Sequence, residues 1–158
     1  MDKLLKLLER DGRISAEKLA IMLDTSPEEV LKMIKQYEND RIIVGFSAIV
    51  NWDKVGSDRV TAIIELKVSP SKGQGFDKIA QTIYRFPEVR DVSLMSGGYD
   101  LAVTVEGGNM KEVALFVAER LSVLESVLAT ATHFVLKKYK CNGIMLDDAD
   151  VDKRTQIL

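Results

Sequence analysis

Two clusters of side chains in this chain are suited to chemistry. The first is Ser26-Pro27-Glu28-Glu29, followed by Lys32, Lys35 and Gln36. Ser26 can cap a helix, Pro27 fits its first position and Glu29 can complete a capping box, so a helix must start there. Val30, Ile34 and Tyr37 recur on one face of it, leaving Lys32, Lys35 and Gln36 on the other. Ammonium groups and a carboxamide on an outward helix face suit the phosphates and base edges of a duplex, and Ser26 with the helix N-terminus suits a phosphate. Between positions 27 and 41, however, Lys32, Lys35 and Arg41 stand against Glu28, Glu29, Glu38 and Asp40. Phosphate binding gains most from clustered positive charge, so an ordinary solvated face also fits.

The second cluster is Gly97-Gly98-Tyr99-Asp100. Its glycines permit close backbone approach, and the amides, phenol and carboxylate together can hold a small zwitterion. The same four residues also make a plain hairpin turn. Thr130 and Thr132 add hydroxyl donors further along, although threonine is ordinary in strands. The single histidine, His133, has no recognisable nucleophile beside it, and the single cysteine, Cys141, cannot close an internal disulfide. No catalytic residue, metal-ligand set or cofactor is therefore expected, and His133 reads as an interface residue. Lys137-Lys138-Tyr139-Lys140 reads as a solvated strand edge.

These residues need scaffolds to hold them. The 158 residues allow one ordinary domain or two small ones and exclude a large multidomain enzyme. With 46% apolar and 29% charged residues the chain can bury a core, and its net charge of -2 gives no global pull toward nucleic acid or an anionic membrane. No signal peptide is visible, and the longest wholly apolar run, 113–118, is far short of the roughly 20 residues a membrane span requires. A soluble cytoplasmic protein is the expectation.

Residues 1–50 read as a winged helix-turn-helix. Leu4, Leu5, Leu7 and Leu8 form one helical stripe ending at Asp11-Gly12, and Ser15 opens a second helix carrying Leu19, Ala20, Met22 and Leu23. The Ser26 helix follows, and residues 42–50 suit a short two-stranded wing. Residues 51–59 read as a linker. From 60 to 140 the pattern is β-α-β-β-α-β, the ferredoxin-like split βαβ arrangement, with a last strand over 129–139. The fold class is thus α+β. Residues 141–158, with Asp147, Asp148, Asp150 and Asp152, read as an acidic tail held loosely or packed on a partner.

In such a sheet Val60, Ala62, Ile64, Leu66, Val92, Leu94, Leu101, Val103, Val105, Phe134 and Leu136 should face the helices. The other face then holds Thr61, Ile63, Glu65, Ser93, Met95, Ala102, Thr104, Ala131, His133 and Val135. That face is too apolar for water, so a second subunit packing sheet on sheet is expected, with cover by the tail or linker as the alternative.

The order Leu4 to Leu8, Asp11-Gly12-Arg13-Ile14-Ser15, Leu19-Ala20, Ser26-Pro27, Val30-Leu31-Lys32 and Ile43-Val44-Gly45-Phe46 resembles the N-terminal half of the Lrp/AsnC (feast/famine) regulators. Phe86-Pro87-Glu88-Val89, Gly98-Tyr99-Asp100-Leu101 and residues 130–137 resemble that family's effector-sensing domain, so the likeness spans about residues 2 to 140. It implies double-stranded DNA as a partner, a homodimer built through the sheet, and higher oligomers. It also implies a small effector, usually an amino acid, near Gly98, Tyr99 and Asp100, with Met95, Thr130 and Thr132 as further candidates. The chain departs from the family where two consecutive basic residues are usual (Lys32, Met33), where a further Arg is common (Gln36), and where Gly usually ends the helix (Arg41). Two alternatives stand beside a regulator. One is an enzyme like the siroheme decarboxylases of tetrapyrrole biosynthesis, which resemble the same family. The other is a metabolite-binding module with weak DNA affinity.

Overall fold

The computed structural model of the chain describes residues 2–70 and 75–146, so Asp147, Asp148, Asp150 and Asp152 lie outside the described residues. The chain divides into two compact units, Met1–Val50 and Asn51–Leu158.

The first unit is built from α1 (Lys3–Arg10), α2 (Ala16–Leu23) and α3 (Pro27–Asn39). Each starts on a side-chain cap: Asp2 accepts from the amides of Leu4 and Leu5, Ser15 from Lys18 and Ser26 from Glu29. These caps satisfy amides that the first helical turn leaves without partners. Leu4, Leu8, Leu19, Ala20 and Val30 form the buried centre, with Ile14, Leu23, Ile34 and Tyr37 packed around it. Asp24, at φ 53°, ends α2, and the amide of Thr25 donates back to the Ala20 carbonyl at 3.0 Å. This short turn fixes where α3 begins. The Tyr37 hydroxyl donates to the Asp2 carboxylate, tying α3 to the start of α1.

The two wing strands expected within 42–50 are not formed; among the described residues of this unit there is no strand. The amides of Ile42 and Ile43 both donate to the Tyr37 carbonyl, at 2.8 and 3.0 Å, which turns the chain back onto the end of α3. Phe46 then seats against Gly12, where an added Cβ would stand 2.9 Å from the ring. A β ladder requires a second extended segment in register, and this unit supplies none.

The second unit opens with a helical turn, α4 (Trp52–Val55), inside the segment expected to be a linker. It continues as β1 (Val60–Val68), α5 (Phe76–Ile83), β2 (Val89–Leu94), β3 (Leu101–Gly107), α6 (Met110–Phe116) and β4 (Val127–Phe134). The sheet is antiparallel in the order β2-β3-β1-β4, the split βαβ topology. Asn109 caps α6, whose last turn widens into a π-helical segment, Val117–Leu121. Ala62, Ile64, Leu66, Leu101, Val103 and Val105 pack under Ile79, Ile83, Val113, Phe116 and Leu121. Phe86 meets Phe116 edge to face at 5.5 Å.

Three boundaries differ from expectation. Leu94 and Leu136, expected toward the helices, are 60% and 94% exposed. Leu94 sits at the end of β2 opposite Leu101, at the sheet's margin, and Leu136 lies beyond the end of β4. The last strand runs 127–134 rather than 129–139: the Val135 amide still donates to the Thr61 carbonyl, but β1 begins at Val60 and offers no partner further on. Residues 141–146, expected to open the tail, instead take part in a small hairpin, β5 (Lys140–Cys141) with β6 (Ile144–Met145). Asn51 donates its side-chain amide to the Leu146 carbonyl at 2.7 Å.

Candidate functional sites

On α3 the structure places Lys32, Lys35 and Gln36 on the exposed face. Ser26 Oγ accepts from the Glu29 amide at 3.2 Å, so its lone pair serves the cap while its proton stays available to a phosphate oxygen. Glu29 does not reach back to close the capping box; its carboxylate stands 3.9 Å from the Lys32 ammonium, and Glu38 stands 3.7 Å from Lys35. Exposed pairs of this kind contribute at most about 1 kcal/mol, so both lysines can exchange a glutamate for a phosphate. Two further residues border this surface. Leu31, 57% exposed, lies between the lysine face and the core face, and Arg41 follows α3 with φ 55°.

In the second unit, the turn after β2 is closed by the Met95 amide donating to the Asp100 carbonyl at 2.8 Å. Asp100 is its anchor. Its amide donates to the Leu66 carbonyl at 2.9 Å, and its carboxylate accepts from the Val68 amide at 2.9 Å and from Lys67 Nζ at 3.4 Å. The Val68 amide, helped by the Lys67 ammonium, holds the Asp100 carboxyl below its ordinary pKa. Asp100 therefore positions the turn on the end of β1. Gly97 and Gly98 are exposed, neither has a positive φ, and a Cβ on either would meet nothing within 4 Å. What these glycines supply is open backbone, and half-buried Tyr99 borders it. Thr130 and Thr132 pair across β1 with Leu66 and Ile64, which puts them on the helix-facing side of β4. Asp100 and Thr130 thus flank Leu66 from opposite sides, while Thr132 lies one pair further along.

At the other end of β1 an open cavity of about 370 Å³ is lined by Ser57, Asp58, Arg59, Arg90, Glu106 and the backbone of Gly107 and Gly108. Glu106 Oε2 accepts from Arg90 Nε at 2.8 Å and Arg59 Nη1 at 3.3 Å, and the Arg59 guanidinium lies 4.4 Å from the Trp52 ring centre. Three distant segments build this cluster, so spacing gave no sign of it.

On the sheet face turned from the helices, Ile63 lies opposite Thr104 and His133, and Glu65 opposite Ala102 and Ala131. His133 Nε2 stands 3.6 Å from Glu65 Oε1. Among the described residues no helix is long and apolar enough to cross a membrane.

A three-helix unit with an outward, side-chain-capped third helix, in one chain with a βαββαβ unit, defines a two-domain helix-turn-helix regulator. Residues 61–145 match the family described as the Lrp/AsnC ligand binding domain. The chain is 45% identical over 153 residues to the uncharacterized HTH-type transcriptional regulator YugG of Bacillus subtilis, covering 96% of this chain and 92% of that one. It is 26% identical to the leucine-responsive regulatory protein of Haemophilus influenzae, over 91% of this chain and 86% of the relative. A transcriptional regulator of Neisseria meningitidis, solved as an L-methionine complex, superposes with a TM-score of 0.70 at 24% identity, covering 89% of this chain and 93% of the other. The chain belongs to the Lrp/AsnC family of transcriptional regulators.

Proposed function

We propose that this regulator binds double-stranded DNA in the cytoplasm through α3, with Ser26, Lys32 and Lys35 on phosphates and Gln36 at base edges, and does so as a dimer or larger assembly. The observation that carries the reading is that Lys32, Lys35 and Gln36 share the exposed face of α3, with Ser26 exposed as the N-cap at its start. A single copy of α3 has no net positive charge, with Lys32 and Lys35 against Glu28, Glu29 and Glu38, so two copies presented together are needed for useful affinity. The semi-apolar face around Ile63, Ala102, Thr104 and Ala131 supplies the pairing surface, sheet against sheet.

The effector is a small zwitterion, an amino acid, held at the open backbone of Gly98 and the Tyr99 phenol, with Met95, Thr130 and Thr132 nearby. Asp100 fixes that turn through Val68 and Lys67. The L-methionine complex of the Neisseria protein supports this choice of ligand class. Binding acts on DNA only if the effector prefers one assembly over another, since equal affinity for both shifts nothing. Catalysis has no part in this reading.

The second reading, a metabolite-binding module with weak DNA affinity, is favoured by the pairing of both α3 lysines with glutamates. A pull-down of fragmented genomic DNA with the purified protein, with and without an amino-acid mixture, separates the two. The regulator reading expects a few enriched sites, release by added salt, and a changed profile with the mixture. Retention of no fragment above background overturns it in favour of the module.

A further inference from the structure

We infer that Arg41 is a phosphate contact of the DNA interface, a guanidinium clamp set just past the C-terminal end of α3. The inference rests on the DNA-binding reading above. Arg41 has φ 55°, a left-handed conformation that glycine adopts freely and that a Cβ disfavours. Its surroundings enforce that conformation. The Asp40 amide donates to the Gln36 carbonyl at 2.9 Å, the Arg41 amide to Glu38 at 3.1 Å, and the Ile42 and Ile43 amides both to Tyr37. Tyr37 is itself held by Asp2. These hydrogen bonds on both sides hold the chain in a left-handed turn at Arg41, and the residue present is the one with a rigid five-donor fork.

Charge bookkeeping points the same way. Lys32 and Lys35 each stand within 4 Å of a glutamate. Arg41, among the described residues, has no carboxylate within ion-pair range and no hydrogen bond from its side chain, and it is exposed. It lines an open cavity of about 240 Å³ with Glu38, Ile43, Val44 and Gly45. Glu38 in that lining stands 3.7 Å from Lys35 and Asp40 precedes Arg41 in the chain, so the rim is not net positive; what sets Arg41 apart is a guanidinium with no carboxylate within 4 Å among the described residues. Thirteen helical residues span about 20 Å, more than the roughly 12 Å width of the major groove, so a helix seated across the groove reaches a phosphate rail at each end. Ser26 stands at one end and Arg41 at the other. A guanidinium meeting a phosphate bidentately gains both charge and geometry.

The test measures binding to a mixed-sequence duplex by fluorescence anisotropy over a range of salt concentrations, with thermal unfolding of the same samples. Arg41→Gly should raise the unfolding midpoint, because the strain is relieved, and yet weaken DNA binding about 3- to 10-fold at 0.1 M salt. It should also flatten the salt slope by about one unit per bound subunit. Arg41→Lys, which keeps the charge, should keep the slope. An Arg41→Gly protein that binds with wild-type affinity and slope overturns the assignment while leaving DNA binding intact. A lowered midpoint in Arg41→Gly overturns the strain premise, and with it the inference. Wild-type protein with no salt-dependent binding overturns the DNA-binding reading and this one together.

Discussion

The surface of α3 and the Gly97–Asp100 turn carry their polar groups in opposite states. On α3 the functional groups are tethered lightly: two ammoniums lie 3.7 and 3.9 Å from glutamates one helical turn away, in water. In the turn, the one charged side chain is committed to the fold, with Asp100 accepting from Val68 and Lys67 while its amide serves Leu66. A surface that must meet a polyanion gains from cations that change partners at little cost. A loop that must present open amides to a small ligand gains from a backbone that does not move. The difference teaches that in the turn the acidic residue is the holder, which leaves the glycine backbone and the phenol as the groups that the proposed effector would meet.

The comparison breaks first in the core beneath the turn. Leu66 is fully buried, and its carbonyl receives the Asp100 amide. Leu66→Ala should cost about 2–5 kcal/mol of the stability of the second unit, read from urea unfolding. A loss under 1 kcal/mol would contradict the packing described.

Next in size is charge on α3. Replacing Lys32 and Lys35 together by alanine should weaken duplex binding by about tenfold or more at moderate salt. It should flatten the salt slope by about two units per subunit, and stability should change by only about 0.5 kcal/mol. Unchanged binding would move the interface off this face.

Asp100 sharpens the other side. Its carboxyl is held below the ordinary value of 3.8 by the Val68 amide and the Lys67 ammonium. A folded pKa below the unfolded one means that this contribution is complete above the unfolded value and is lost as pH falls through the folded value. Wild type should therefore lose stability below about pH 4 relative to Asp100→Asn, whose midpoint should be lower near neutrality and flatter with acid. Amino-acid affinity should fall in the same variant. A wild-type midpoint that runs parallel to Asp100→Asn from pH 6 to 3 would remove the anchor role.

The smallest effect is at the Asp2–Tyr37 bond in the first unit. That bond lowers the Asp2 pKa and raises that of Tyr37. The depressed Asp2 contributes stability above about pH 4 and loses it toward acid, and the raised Tyr37 contributes below about pH 10 and loses it toward alkali. Tyr37→Phe should flatten both flanks of the stability profile and lower its plateau slightly. Unaltered flanks would show that the bond does not persist in solution.

Much of this was legible in the residues themselves. Ser26-Pro27 marked the start of α3, Asn109 capped α6, and the alternation through Ala62, Ile64 and Leu66 named the buried side of β1. These signals are local, because a cap or a pleat is decided within a few residues. What stayed hidden depends on partners elsewhere in the chain. Residues 42–50 have strand-like side chains, but a strand exists only where another pairs with it. Leu94 and Leu136 keep the right parity and still face water, because the elements beside them stop. The role of Asp100 as anchor depends on where the end of β1 falls in the sheet register, and the Arg59–Glu106–Arg90 cluster joins three separate segments.

The central claim is that the exposed face of α3 is the DNA-reading surface, and backbone amide shift mapping on adding a duplex recovered from the genomic pull-down tests it most directly. The account predicts that Ser26, Lys32, Lys35 and Gln36 shift together and return when salt is raised. Shifts confined to other residues, with α3 silent at saturating DNA, would contradict it.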